Sequence, residues 1–366
     1  MKTTLIVHYT ALLLFALTSV QALATTRTVS NNPNIPAQFA SLQVAVDASA
    51  TGDTLLIHGS AVSYGNVNVG KSLVLIGPGY RPTGQNGLVA TVGDLRIFAA
   101  AAGDADNVVA LGFTILSLSP NGNANCGNGF AVKMRLERCQ VAGVSPYTLQ
   151  TGPASTELFA EQCVFSGTYT GTGNCGGQGI NSALISNSIF TGNYNNSSAA
   201  ASAVISNCIF FGGSSVLSTI QNTILSNNIF FGTNMNNGTK TGCTFNTNLT
   251  FSTNNNSAVF LGGNITTGTI ENVNPQFITG PPNPASGQTF STLFNSGFNL
   301  NLSPGSPALS AGSDGTNIGT SGGANGFDYI TQSSTRGPQM STLIINNASL
   351  PENGTLDVNF SAKSQD

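Results

Sequence analysis

Three seven-residue segments of the chain superimpose without a gap: Leu184-Ile185-Ser186-Asn187-Ser188-Ile189-Phe190, Val204-Ile205-Ser206-Asn207-Cys208-Ile209-Phe210 and Ile224-Leu225-Ser226-Asn227-Asn228-Ile229-Phe230. Their asparagines, at 187, 207 and 227, are 20 residues apart. Weaker copies extend the series backward through Glu161-Gln162-Cys163-Val164-Phe165, Glu137-Arg138-Cys139-Gln140-Val141 and Leu111-Gly112-Phe113-Thr114-Ile115, at spacings of 24 to 26. Asn246-Thr247-Asn248-Leu249 continues it forward. A period this short, written in β-branched and aromatic residues between Gly, Asn and Ser, fits a coil of short strands and tight turns; a helical repeat would need Ala, Leu, Glu and Lys at a 3.6-residue period. The chain is therefore expected to be all-β, a parallel solenoid.

In such a solenoid equivalent residues of successive coils stack about 4.8 Å apart, so each repeat position becomes a row. Asn187, Asn207 and Asn227 are expected at a turn, their amides bonding from coil to coil. Phe165, Phe190, Phe210 and Phe230 are expected to stack in the core beside Ile185, Ile205 and Leu225. Apolar residues adjacent in sequence cannot both face inward. Two outward stripes follow: Phe159, Leu184, Val204 and Ile224, and Val164, Ile189, Ile209 and Ile229, each to be covered by the terminal hairpin or by loops, or left as a partner surface.

Open solenoid ends need covers. Phe39, Leu42 and Val46, spaced i, i+3, i+7 between Pro36 and Ala50, read as an amphipathic cap helix. At the other end, Asn299 to Ala308 carries Pro304 and Pro307, which forbid further ladder pairing. Residues 1–24 read as a secretory signal: Lys2, the apolar run Ala11 to Leu17, and the small-x-small site Ala22-Leu23-Ala24, with cleavage after Ala24. Residues 25–323 then form the solenoid, 324–340 a Gly/Ser-rich linker, and 341–366 a β-hairpin around Pro351-Glu352-Asn353-Gly354.

The apolar run of the signal is too short to span a bilayer, and no later segment is long enough, so no transmembrane segment is expected. The chain is expected to be secreted or held at the cell surface. Net charge is −3, and −4 once Lys2 is removed; the basic residues are scattered, which argues against nucleic acid as a partner. Cys126, Cys139, Cys163, Cys175, Cys208 and Cys243 follow the signal. An exported chain permits disulfides, but six cysteines allow 15 connectivities. Cys139, Cys163 and Cys208 share one position of the repeat, where a buried thiol ladder and a disulfide are equally open.

Three features resemble the secreted pectate-lyase-like right-handed parallel β-helix proteins, a broad family spread through bacteria: Ala50-Thr51-Gly52-Asp53-Thr54-Leu55 followed by Lys71-Ser72-Leu73-Val74-Leu75-Ile76-Gly77, the Ser-Asn-x-Ile-Phe coils, and Leu302-Ser303-Pro304-Gly305-Ser306-Pro307-Ala308. The resemblance covers roughly residues 30 to 323. It implies a right-handed, single-stranded β-helix and leaves the activity open, since the architecture hosts lyases, hydrolases, adhesins and proteins without known catalysis. The final hairpin looks like the opening strands of an immunoglobulin-like module, incomplete here.

Lyases of the resembled family combine Asp carboxylates holding a divalent cation with an Arg or Lys base. Between Ala110 and Gly280 this chain has no Asp, so a calcium cage is not expected there and no cofactor is assigned; calcium elsewhere stays open. His58 is the only histidine after the signal and reads as structural. One cluster remains. Lys133, Arg135 and Glu137 alternate outward around Met134 and Leu136, and a shift of 24 sets Glu157, Phe159 and Glu161 beside them. Two kinds of chemistry fit. Glu137 and Glu161, with Arg135, make a carboxylate pair of the sort retaining glycosidases use, and Lys133, Arg135, Glu157 and Phe159 would bind an anionic sugar. Alternatively, the set is a solvated ion-pair ladder, which is favoured. The favoured function is a non-catalytic glycan-binding, adhesive or structural module for an extracellular polysaccharide or cell-surface component; the alternative is a polysaccharide lyase or glycoside hydrolase.

Overall fold

A computed structural model describes residues 24–81, 87–99, 104–120, 132–145, 156–171, 180–197, 202–211, 217–233, 238–252, 264–280, 293, 297–332, 339–345 and 358–363. The expected signal segment up to residue 23, Cys126, Cys175 and the expected turn at Pro351–Gly354 lie outside them. The solenoid is a stack of parallel sheets. Sheet I has eleven strands, from Thr26–Val29 to Ile265–Thr267, and sheet II nine, from Val67–Val69 to Leu249–Phe251. Sheet III has four: Tyr169–Thr170, Tyr194–Asn196, Leu217–Gln221 and Lys240–Thr241.

Inside, the rows follow the repeat. Phe165, Phe190, Phe210 and Phe230 stack face to face at centroid spacings of 4.8, 4.6 and 4.8 Å. Tyr169 and Tyr194 form a parallel stack at 4.6 Å. Ile185, Ile205 and Leu225 are buried alongside. Burying each such side chain contributes about 1.5–3 kcal/mol. The described cysteines, Cys139, Cys163, Cys208 and Cys243, are buried free thiols. Burial pushes Cys208 up to about 12, so it packs as an inert apolar residue.

The asparagine ladder is not where the sequence put it. Arg138, Gln162, Asn187, Asn207, Asn227 and Thr247 mark one turn per coil between sheets I and II, all with φ between 47° and 56°. Asn tolerates this left-handed conformation better than other non-glycine residues. The turn aims these amides away from the core, and the following residue points inward instead. The coil-to-coil ladder is therefore Ser188, Asn228 and Asn248: Cys163 N–H donates to Ser188 Oγ (3.1 Å), Cys208 N–H to Asn228 Oδ1 (2.8 Å) and Asn228 N–H to Asn248 Oδ1 (3.0 Å).

The outward amides are taken by the C-terminal segment. Asn299–Leu302 pairs antiparallel with Phe277–Thr279, after which the chain turns back along sheet II as a strap. Asn227 Oδ1 accepts from Ser313 N–H (2.9 Å), Asn207 Nδ2 donates to Asn317 O (3.2 Å), and Asn187 Nδ2 donates to Thr320 O (2.9 Å) and Gly322 O (2.8 Å). Gln162 Nε2 donates to Asn325 O (3.2 Å), and the Arg138 guanidinium lies 5.6 Å from the Phe327 ring centre. The strap thus meets one turn residue per coil over five coils. Beneath it Val164, Ile189, Ile209 and Ile229, expected to face outward, are buried against Leu300, Ala308, Ile318, Phe327 and Tyr329. Phe327 and Tyr329 lie in the stretch that composition reads as linker.

At the N-terminus the helix spans only Leu42–Ala48, capped by Ser41, whose side chain accepts from Val44 N–H. Its buried face is Leu42, Ala45 and Val46. Phe39 precedes it and bridges to Val29 in β fashion instead. Gln339–Ile345 pairs antiparallel with Val358–Lys363. Among the described residues no helix is long and apolar enough to cross a membrane.

Candidate functional site

The outer face of sheet I carries the charged cluster. Val132, Met134 and Leu136 are buried and Lys133, Arg135 and Glu137 alternate outward. The register places Glu157 beside Lys133, Phe159 beside Arg135 and Glu161 beside Glu137. A bulge between Thr156 and Glu157 adjusts the next strand, so that Glu157 pairs with Ser182, Phe159 with Leu184 and Glu161 with Ser186.

Arg135 is the hub. Its guanidinium lies 3.1 Å from Glu161 Oε2 and 3.5 Å from Glu137 Oε2, while Lys133 Nζ is 3.7 Å from Glu157 Oε1. Asn325, at the far end of the strap, donates to Glu161 Oε1 at 2.5 Å. Both oxygens of Glu161 are thus engaged. The Arg135 side chain is half exposed, so each ion pair contributes at most about 1 kcal/mol. The pairs order the surface more than they stabilise it.

Two shallow concavities flank this hub. One, of about 290 Å³, is lined by Arg135, Phe159, Glu161, Leu184, Ser186 and Asn325. The other, of about 390 Å³, lies toward Asp106, Asn107, Val109 and Lys133. Arg135 and Phe159 belong to both, and Phe159 is 41% exposed. From there the apolar row continues through Leu184, Val204 and Ile224, bordered on one side by Ser186, Ser206 and Ser226. Between Gln162 and Thr239 the chain has no charged residue, so beyond Glu161 this surface offers only hydroxyl, amide and aliphatic groups.

The spacing of 24 was enough to place Lys133, Arg135, Glu137, Glu157, Phe159 and Glu161 together. Asn325, 164 residues from Glu161, had no signal in the sequence, and Asp106 and Asn107 lie ahead of the repeat positions that drew attention. His58 follows the strand Thr54–Ile57, on a different coil from the acids. The divalent cation implied by the lyase resemblance finds no fitting donors here: Glu137 and Glu161 share the Arg135 guanidinium, and among the described residues no three His, Cys, Asp or Glu gather as for a metal ion. No family model matches this sequence, and no match is found among curated proteins.

Proposed function

We propose that the chain is an exported or cell-surface β-helix that binds glycan without cleaving it, along the outer face of sheet I. The observation that carries this is the exposed Phe159 at the meeting point of two open concavities, with Arg135 and Lys133 on one side and the serine-bordered row Leu184, Val204, Ile224 on the other. An exposed ring next to hydroxyl and amide groups suits a sugar, whose C–H face stacks on the ring while its hydroxyls take hydrogen bonds. A shallow, open surface suits an extended polymer better than a small enclosed ligand.

One observation favours catalysis: Glu137 and Glu161 are paired on adjacent rungs, and Glu161 lines one of the concavities. Against it, a general acid or nucleophile must meet its substrate, and Glu161 is held by both Arg135 and Asn325 while Glu137 is tied to Arg135.

The test is a panel of uronate and neutral polysaccharides assayed for both binding and depolymerisation, with Phe159→Ala, Glu137→Gln and Glu161→Gln. Binding without turnover, lost in Phe159→Ala, is the expected result. Turnover abolished by either Glu→Gln change would establish a lyase or hydrolase instead.

A further inference from the structure

Thr25 follows the small-x-small triplet Ala22-Leu23-Ala24, and its backbone nitrogen donates to Oδ1 of Asp53 at 2.8 Å. Asp53 is buried, 1% exposed, whereas Ala24 and Thr25 are exposed. Oδ2 of Asp53 accepts from Ala50 N–H at 3.0 Å and from Arg27 Nε at 3.2 Å. The Thr25 carbonyl accepts from Thr54 N–H at 2.9 Å, and the first ladder pair, Thr26 with Thr54, starts one residue later. A buried carboxylate therefore faces the nitrogen that the cleavage motif would turn into a chain terminus.

We propose that cleavage between Ala24 and Thr25 completes the first coil, because the ammonium it releases pairs with Asp53 and locks Thr26–Val29 onto Thr54–Ile57. In the hydrolysis, water's oxygen bonds to the Ala24 carbonyl carbon as the C–N bond breaks, one water proton goes to the departing Thr25 nitrogen to make the amine, and the proton then lost by the new Ala24 carboxyl makes that amine an ammonium. A neutral amide donor becomes a cation on an unchanged partner. Charge-assisted hydrogen bonds are roughly twice as strong as neutral ones, and a buried carboxylate left without full compensation is costly. Arg27, its present cation, is only partly buried. The seat is selective: each extra residue ahead of Thr25 carries the ammonium about 3.5 Å further along the chain.

Two experiments test this. Intact mass of the exported protein is expected to give Thr25 as the first residue. Then a chain released from a fusion to begin at Thr25 is compared with one extended by Gly-Ser, each with Asp53 and with Asp53→Asn. The native start is expected to melt about 2–4 °C above the extended chain, with severalfold stronger hydrogen-exchange protection of the Thr54 amide. Asp53→Asn is expected to erase both differences. Should Asp53→Asn fail to fold, the comparison of the two starts decides alone. Equal melting and equal protection for the two starts, or a mature terminus at another residue, would overturn the proposal.

Discussion

Leu184, Val204 and Ile224 lie five residues ahead of Ile189, Ile209 and Ile229 in the same three repeats, and the two rows end in opposite surroundings. Leu184 and Ile224 are 43% and 45% exposed, while Ile189, Ile209 and Ile229 are at most 2% exposed. The first row lies open on sheet I beside serines; the second lies under the strap. Nothing in the row residues themselves separates the cases. What differs is the turn between them, where left-handed Asn187, Asn207 and Asn227 aim their amides at strap groups more than 80 residues away. An apolar outer row becomes core when its neighbours can anchor a cover, and otherwise stays available to a ligand.

That contrast can be broken most forcefully by Ile209→Ala, which empties space in a closed interface and is expected to destabilise by about 2–5 kcal/mol in urea unfolding. Ile224→Ser, on the open row, is expected to stay within about 0.5 kcal/mol of the unaltered chain. Next in size is Gly319→Ala. Gly319 has φ 92°, which strains any L side chain, and a Cβ there would lie 2.7 Å from Ile229 Cδ1, so the Ile229 side chain or the strap would have to shift; a loss of about 1–3 kcal/mol is expected by thermal unfolding. Asn207→Ala removes one strap anchor and a residue suited to the left-handed turn, with an expected cost of about 1–2 kcal/mol and earlier hydrogen exchange in the strap before any change in the Phe stack.

A smaller effect concerns acid. The Thr25 backbone N–H, with further donors from Ala50 and Arg27, outweighs burial and holds Asp53 down from 3.8 to about 2. The folded first coil therefore prefers the ionised carboxylate more strongly than the unfolded chain does. Its contribution is complete above about pH 4 and is lost as pH falls from there to about 2. Hydrogen exchange at the paired amides of Thr26–Val29 and Thr54–Ile57 is expected to accelerate over that interval, and not in Asp53→Asn.

How far the sequence carried these assignments follows from which contacts are local to the repeat. Rows one coil apart were legible: the Phe165–Phe230 stack, the pairing of Arg135 with Phe159 and the shared position of Cys139 and Cys163 follow from offsets of 20 to 25, whereas the choice between thiol and disulfide did not. The asparagine ladder was misplaced by one residue because a left-handed turn residue breaks the in–out alternation that a strand would keep. The strap was invisible because nothing in it recurs at the coil spacing: its far end has the composition of a linker, and the apolar residues it packs down, Ile318, Phe327 and Tyr329, are too widely spaced to show a strand or helix period. Asn325 enters the candidate site by that same route, so one wall of the concavity could not have been foreseen.

The most direct measurement sets affinity against stability on the two rows together. Phe159→Ala and Ile224→Ser are compared with Ile209→Ser for binding to whichever polysaccharide the unaltered chain retains and for thermal unfolding. Phe159→Ala and Ile224→Ser are expected to weaken binding, about tenfold or more for Phe159→Ala, with Tm nearly unchanged; Ile209→Ser is expected to lower Tm while leaving affinity intact below its transition. Binding that survives both open-row changes, or that falls only with Ile209→Ser, would contradict a division into one binding row and one structural row.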